Sequence, residues 1–352
     1  MSSLRRLLID SSYPLLRPLL FSLDAETAHH LTLAGMRFAA RCGFLEGEPV
    51  LAGPVEAFGI KFPNRMGLAA GMDKTGNCVD GFGALGFGAV EIGTLTPRPQ
   101  PGNAKPRLFR IPERESIINR MGFNNPGILR GMENAATRRY RGILGVNIGK
   151  NFDTPNERAV DDYVTCLRGA WSQADYVAVN LSSPNTKGLR ALQEEESCRH
   201  LLRALHNEQE PLRQQHQKHV PLLIKIAPDL EPLHLQALAR VFREERLEGV
   251  IATNTTLSRT HVEGLKHGRE SGGLSGAPLT VRSTELIRSL AGALQGEVPI
   301  IGVGGIMTPA DAVEKLEAGA TLLQLYSGLI FHGPALVADC ISATGAWAKR
   351  PI

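Results

Sequence analysis

The 352-residue chain has few cysteines and no clustered metal ligands. The five cysteines are odd in number and widely spaced, with no Cys-x-x-Cys pair: Cys42, Cys78, Cys166, Cys198 and Cys340. This pattern argues against a disulfide framework and fits a reducing compartment. The adjacent histidines His29 and His30 would point in different directions on a helix, so we expect no metal site.

The amino terminus lacks the architecture of a secretion signal, and no run reaches the roughly eighteen apolar residues of a spanning helix. Pro14 and Pro18 interrupt the first apolar residues, and no small-residue cleavage site follows a clean apolar core. The chain also lacks a long block of like charges, although its net charge is +4. We therefore expect no nucleic-acid partner, and a protein that is cytoplasmic or peripherally attached to a membrane.

Eight short apolar segments recur, and all but 222–226 have Gly, Asn or Thr at or near an end: 66–70, 89–94, 142–148, 176–181, 222–226, 249–253, 300–303 and 321–326. Helix-compatible segments separate most of them, notably 156–171, 233–246, 280–294 and 309–318. This alternation is typical of parallel βαβ units, and continuous apolar runs are typical of strands buried on both faces. The pattern predicts an α/β fold, a closed (β/α)8 TIM barrel. A doubly wound open sheet is the alternative, but no Gly-x-Gly-x-x-Gly follows the first strand.

The first forty-odd residues differ from the rest of the chain. Apolar groups at 15–20 and 31–38 are punctuated by arginines that include Arg5 and Arg6, and Asp24 between them is a good helix N-cap. We expect a small helical extension over 1–45 and a catalytic barrel domain over 46–352. The extension either lies on a membrane surface or covers the barrel, and the sequence leaves both open.

Two long segments predict functional loops. Residues 96–119 hold five prolines and no helical period, which predicts a loop or a short antiparallel pair over the barrel mouth. Residues 259–276 are rich in Gly and charge, which predicts a mobile lid.

The segment 302–306, Gly-Val-Gly-Gly-Ile, lies between a strand and a helix that begins near Pro309. Backbone N–H groups in such a loop bind anions. Together with 324–328 after the last strand, it forms the usual phosphate position of this barrel class. Glycines that serve only tight turns are the alternative.

Amides and hydroxyls gather after several strands, above all in 180–185, Asn-Leu-Ser-Ser-Pro-Asn. Asn side chains both donate and accept, which suits a planar imide substrate, although a single Asn is often only a turn residue. Two lysines are also expected near the mouth of the barrel: Lys74 follows the first strand, and Lys225 lies near the end of the strand 222–226. Two lysines in one cavity favour an anion between them, either a flavin or a carboxylate substrate, whereas each alone suits an ordinary surface role equally well.

These motifs resemble those of the flavin-dependent dihydroorotate dehydrogenases over almost the whole chain. The matching segments are 67–74 (GLAAGMDK), 91–102 (EIGTLTPRPQPG), 119–123 (NRMGF), 180–185 (NLSSPN) and 302–306 (GVGGI). Class 1 members carry a cysteine base and lack an amino-terminal helical extension. Ser183 and the predicted helices therefore point to the membrane-associated, quinone-reducing class 2 branch.

The resemblance implies oxidation of (S)-dihydroorotate to orotate in de novo pyrimidine (UMP) biosynthesis, with FMN as cofactor and a membrane quinone as final acceptor. It also implies a monomer at the cytoplasmic side of the cell (inner) membrane. Ser183 would be the catalytic base. FMN would contact Ala70, Gly71, Thr94, Asn147, Asn180, Lys225, Thr253, Gly276, Gly305, Tyr326 and Ser327. Substrate would contact Lys74, Asn119, Arg120, Met121, Gly122, Phe123, Asn180, Asn185, Asn254 and Thr255.

A different enzyme class shares part of this pattern. A phosphate-binding TIM-barrel isomerase or lyase would use the same anion loop and could employ Lys225 as a Schiff base. Such an enzyme would be colourless, so flavin absorbance distinguishes the two hypotheses.

Overall fold

The computed structural model describes residues 3–45, 48–186 and 188–349. Within them, the strands in chain order are β1 (Val55–Ala57), β2 (Ile60–Phe62), β3 (Met66–Leu68), β4 (Ala89–Leu95), β5 (Leu108–Ile111), β6 (Ser116–Asn119), β7 (Ile143–Ile148), β8 (Tyr176–Asn180), β9 (Leu222–Ile226), β10 (Gly249–Ala252), β11 (Gly273–Gly276), β12 (Ile300–Val303) and β13 (Leu322–Leu325). The helices are α1 (Ser3–Ser22), α2 (Ala25–Arg41), α3 (Val79–Gly83), α4 (Ile128–Ala136), α5 (Ala159–Ala170), α6 (Glu195–His216), α7 (Pro232–Glu244), α8 (Thr280–Leu294), α9 (Pro309–Glu317), α10 (Ser327–His332) and α11 (Pro334–Trp347).

Eight parallel strands close into a barrel in the order β3, β4, β7, β8, β9, β10, β12, β13, with β13 paired back to β3. Every residue of these strands is buried except Ile143, which is half-buried. Burial on both faces explains why the strands are continuous apolar runs. The TIM-barrel prediction is confirmed with all eight predicted strands, and the open-sheet alternative is wrong.

A three-stranded antiparallel sheet, in the order β11, β6, β5, accompanies the barrel. The prediction of an antiparallel pair within 96–119 is confirmed, since β5 pairs with β6. The third strand was not foreseen, because β11 ends the segment that predicted a lid. Gly273 pairs with Asn119, and a Cβ on Gly273 would lie only 1.9 Å from Thr255 Oγ1, so glycine permits this close approach.

The predicted amino-terminal helices are present as α1 and α2. Asp24 caps α2, with its Oδ1 accepting the Thr27 N–H at 2.9 Å. Leu15 and Phe38 are 81% and 68% exposed, so both helices present apolar side chains to solvent. Among the described residues, no helix combines the length and apolarity needed to cross a bilayer.

A buried ion pair fastens α2 to the loop before β5. Arg107 Nη2 donates to Glu26 Oε1 at 2.8 Å, and Arg107 Nε lies 3.2 Å from both carboxylate oxygens. Lys105 Nζ lies 3.4 Å from Glu26 Oε1. Glu26 and Arg107 are only 3% and 6% exposed. Burial alone would raise the pKa of Glu26, but the bonds and charges of Arg107 and Lys105 outweigh it and lower the pKa to about 2.

We expect Glu26→Gln to lower the free energy of unfolding by about 2 kcal/mol at pH 7, because the guanidinium keeps only a neutral partner. A depressed carboxyl pKa stabilises the fold above its unfolded value of about 4.3, and this contribution disappears as the pH falls through about 2. Urea denaturation between pH 7 and pH 2 measures the difference. Glu48→Gln is the control, because Glu48 is 67% exposed and lies 4.0 Å from Arg141. A constant difference across this range would contradict the assignment.

Candidate active site

One cavity lies at the carboxyl-terminal mouth of the barrel and is bounded by residues of β6 and β11. Polar groups converge there because parallel strands end at the same edge of the barrel. Its lining includes all but two of the predicted site residues: Ala70, Gly71, Lys74, Thr94, Asn119, Met121, Gly122, Phe123, Asn180, Ser183, Asn185, Lys225, Thr253, Asn254, Thr255, Gly276, Gly305, Tyr326 and Ser327.

Asn147 and Arg120 are the two predicted residues that the fold does not bring to the cavity wall. Asn147 is fully buried, and its Oδ1 accepts from Thr94 Oγ1 at 2.6 Å and from Asn180 Nδ2 at 3.2 Å. It therefore supports two lining residues. The Arg120 side chain instead pairs with Glu270 at 2.7 Å and lies 4.6 Å from the centre of the Phe109 ring.

The glycine loop 302–306 forms one end of the cavity. Gly304 and Gly305 have φ values of +119° and +68°, and a Cβ on Gly305 would lie 2.3 Å from the Thr280 backbone N. The loop is fixed from behind, since Thr280 Oγ1 donates to Gly305 O at 2.6 Å and Ser283 Oγ donates to Gly304 O at 2.8 Å. In the same cavity Ser327 Oγ donates to Ser275 Oγ at 2.9 Å. Open backbone and hydroxyls are the groups that bind phosphate.

A buried carboxylate lies beneath the cavity. Glu91 is fully buried and accepts hydrogen bonds from Asn147 Nδ2 at 2.9 Å, Tyr176 OH at 2.9 Å and Gln324 Nε2 at 2.6 Å. Burial lowers the pKa of Lys225, and the Glu91 charge opposes that shift. Glu91 begins the 91–102 motif, and no role was predicted for it. A charged residue inside an otherwise apolar strand was the available signal.

The amide cluster and Lys74 form the substrate-sized part of the cavity. Asn185 Nδ2 donates to Asn119 Oδ1 at 3.3 Å, and Asn254 Nδ2 lies 3.4 Å from Asn180 Oδ1. Lys74 Nζ donates to Gly71 O at 2.5 Å. Burial lowers the pKa of Lys74 to about 8, so the ammonium is available to an anion near neutral pH.

Ser183 lines the same cavity and is 5% exposed. Its Oγ accepts the Asn185 N–H at 3.2 Å. Among the contacts of the described residues, no carboxylate or imidazole hydrogen-bonds Ser183 Oγ. Further lining residues had not been named as individual contacts, although those in 302–306 and 324–328 belong to the predicted phosphate site: Ala69, Pro184, Ser275, Leu279, Val303, Gly304, Ile306, Gln324, Leu325 and Gly328.

A second, apolar cavity of about 420 Å³ lies between the two amino-terminal helices and the barrel. Tyr326 lines both cavities, so they adjoin. The wall of this second cavity is mostly aliphatic and aromatic, including Leu16 and Phe21, and His29 and Arg110 are among its polar groups. Arg110 Nη1 donates to Leu20 O at 3.0 Å, and its guanidinium lies 4.5 Å from the centre of the Phe21 ring.

Comparison with known proteins supplies a family for this geometry. A family model described as dihydroorotate dehydrogenase matches residues 54–344. The chain is 56% identical over 331 residues to the dihydroorotate dehydrogenase (quinone) of Nitrosomonas eutropha, covering 94% of this chain and 97% of that protein. It is 56% identical over 338 residues to the protein of that name from Akkermansia muciniphila, covering 95% and 97%. A crystal structure of DHODH from Eimeria tenella in complex with ferulenol superposes with a TM-score of 0.84 at 36% identity, covering 93% of each chain.

Proposed function

Because the chain belongs to the class 2, quinone-dependent branch of the dihydroorotate dehydrogenases, a family of flavin-dependent oxidoreductases, we propose that it oxidises (S)-dihydroorotate to orotate. The reaction belongs to de novo pyrimidine (UMP) biosynthesis, FMN is the resident cofactor, and a membrane quinone is the final electron acceptor. The observation that carries this proposal is the convergence of Ser183, Lys74, the amides and the glycine loop in one cavity.

The cavity fits FMN on its own chemistry. Gly304, Gly305, Ser275 and Ser327 offer backbone and hydroxyl groups for a phosphate. Gln324 Oε1 is buried without a hydrogen-bond partner among the described residues, and Gln324 lines the cavity, so it can accept from a bound N–H. The chemistry that FMN would supply when bound is acceptance of a hydride from substrate C6 and transfer of the electrons to the quinone. Lys225 would place a positive charge beside the ring system.

The chain's own residues account for substrate binding and proton removal. Lys74 would bind the dihydroorotate carboxylate, while Asn119, Asn180, Asn185 and Asn254 would pair with the ring amide and carbonyl groups. Ser183 Oγ would take the proton from C5 while its own hydroxyl proton passes to a hydrogen-bonded water molecule. Closure of the site against water would strengthen each of these interactions.

The second cavity is our candidate quinone site. Its apolar wall suits a prenylated ring, and His29 and Arg110 offer hydrogen bonds to carbonyl oxygens. Tyr326, shared between the cavities, would bring the quinone close to the flavin. The exposed apolar side chains of α1 and α2, such as Leu15 and Phe38, favour peripheral attachment of this helical segment to the cytoplasmic side of the cell (inner) membrane. We further propose that the protein acts as a monomer.

The visible spectrum of the protein purified in mild detergent tests this function. We expect a yellow protein that bleaches when dihydroorotate is added without oxygen and regains its colour when a soluble quinone follows. A yellow protein indifferent to dihydroorotate would keep the flavin site and reject the substrate. A colourless protein that FMN cannot reconstitute would favour the isomerase or lyase with a Schiff base on Lys225.

A further inference from the structure

Arg190 joins the loops that carry the proposed catalytic base and the proposed substrate amides. It lies in the short helical turn Leu189–Gln193, after the loop that contains Ser183. Arg190 Nε donates to Ser182 O at 3.2 Å, and its Nη2 donates to Thr255 O at 3.1 Å. Its Nη1 donates to Asp229 Oδ2 at 3.0 Å. One guanidinium therefore binds three separate loops, which follow β8, β9 and β10.

Asp229 extends the same connection. Its Oδ1 accepts from Thr256 Oγ1 at 2.5 Å, and its Oδ2 accepts the Leu257 N–H at 2.9 Å. The loop after β10 is thus held from Asp229 as well as from Arg190. Arg282 Nε lies 3.4 Å from Asp229 Oδ1, so the carboxylate has a second cation nearby.

This arrangement differs from an ordinary surface ion pair. The Arg190 and Asp229 side chains are only 23% and 19% exposed. Two of the three Arg190 bonds go to main-chain carbonyls, one in each active-site loop. The Ser182 carbonyl belongs to the peptide group that also carries the Ser183 N–H, so a shift at this bond moves the Ser183 backbone. The planar guanidinium of arginine holds its N–H donors in a fixed geometry, so it is well suited to fix the distances between these loops.

We propose that Arg190 and Asp229 form a latch, a pair of positioning residues that sets the place of Ser183 relative to Asn254 and Thr255. The inference rests on the proposed function, since it assigns Ser183 the removal of the C5 proton. Neither Arg190 nor Asp229 lines the barrel-mouth cavity or the second cavity. Loss of the latch therefore acts on flavin reduction by dihydroorotate and leaves reoxidation by quinone unchanged.

The test compares Arg190→Met, Arg190→Lys and Asp229→Asn with the wild-type holoenzyme in anaerobic stopped flow. We expect Arg190→Met to slow bleaching by dihydroorotate about tenfold, within the hundredfold that a misplacement of 1 Å costs. The isotope effect of C5-deuterated substrate should rise, because proton removal becomes slower relative to the other steps. Arg190→Lys keeps the charge but loses the fork, so it should recover only part of the rate. Asp229→Asn combined with Arg190→Met should add little to the single change.

Arg199→Met is the matched control. Arg199 lies on α6, is 16% exposed and forms an ion pair with Glu245 at 2.8 Å. The Arg199→Met variant should leave both half-reactions and the isotope effect unchanged. A second measurement, hydrogen–deuterium exchange without substrate, should show faster exchange in 181–186 for Arg190→Met and not for Arg199→Met.

The outcomes distinguish failure of the latch from failure of the proposed function. If dihydroorotate does not bleach the wild type, the proposed function fails, and the exchange of 181–186 still decides whether the latch exists. If the wild type bleaches while Arg190→Met keeps its rate, isotope effect and exchange, the latch is overturned. Equal losses in both half-reactions would also overturn it, since they indicate general damage to the fold.

Discussion

Ser183→Ala is expected to slow flavin reduction by dihydroorotate by about 10²–10⁴-fold, the range typical of a lost general base. A free hydroxyl is a weak base, so the serine depends on its surroundings. Ser183 is 5% exposed, and its Oγ accepts the Asn185 N–H at 3.2 Å, which stabilises negative charge on the oxygen as its proton leaves. The alanine variant lacks this oxygen and keeps the cavity, so FMN content, orotate binding and reoxidation by quinone should be retained.

Anaerobic stopped-flow absorbance measures this prediction, with the two half-reactions recorded separately. Ser182→Ala is the matched control, because Ser182 is also buried and its Oγ accepts from Asn254 Nδ2 at 3.0 Å without lining the cavity. It should lose far less than Ser183→Ala. Ser183→Cys, which places the class 1 base on this loop, should retain measurable reduction. Near-normal reduction by Ser183→Ala would remove Ser183 from the mechanism.

The barrel was predictable because its signal is local. A parallel strand covered on both sides is mostly apolar, so each of the eight strands is visible within a few residues of sequence, and 222–226 and 300–303 match to the residue. The cap at Asp24 is local in the same sense, since its partner Thr27 is three residues away.

The parts that sequence reasoning missed depend on contacts between distant residues. Strand β11 exists because Gly273 meets Asn119, and its own residues, Gly-Leu-Ser-Gly, have no strand pattern. The Glu91 hydrogen bonds join three other strands, and no spacing along the chain indicates that Asn147, Tyr176 and Gln324 meet there. Such buried polar networks become visible only when the barrel closes.

The site residues also differ in how well the sequence predicted their positions. The resemblance implied contacts residue by residue, and all of these residues except Asn147 and Arg120 line the cavity. Arg120 and Met121 are neighbours, yet only Met121 lines the wall, because Glu270 engages the arginine. The roles of individual residues toward FMN and substrate stay predictions. Arg190 and Asp229 lie outside the motifs that carry the resemblance, and their bonds link loops that are far apart in sequence.

Lys74→Met is expected to raise the orotate dissociation constant by about 10²–10³-fold, within the 2–5 kcal/mol typical of losing one partner of a buried charge pair. Burial lowers the pKa of Lys74 to about 8, with Arg107 adding to the shift and Glu26 and Asp73 opposing it. The ammonium is therefore present below pH 8 and is lost as the pH rises through that value. In the wild type, orotate affinity should be flat below pH 8 and weaken by up to tenfold per pH unit above it.

Titration of the flavin spectrum with orotate between pH 6 and pH 10 measures both effects. In Lys74→Met the affinity should be low at every pH, with no change centred near pH 8. Lys218→Met is the control, because Lys218 is bound to Ala174 O and is 33% exposed, away from the cavity lining. Lys74→Met should not lower the free energy of unfolding, since a buried ammonium costs desolvation energy that methionine avoids. A wild-type affinity that is constant to pH 10, or a methionine variant that binds orotate normally, would mean that another group holds the carboxylate.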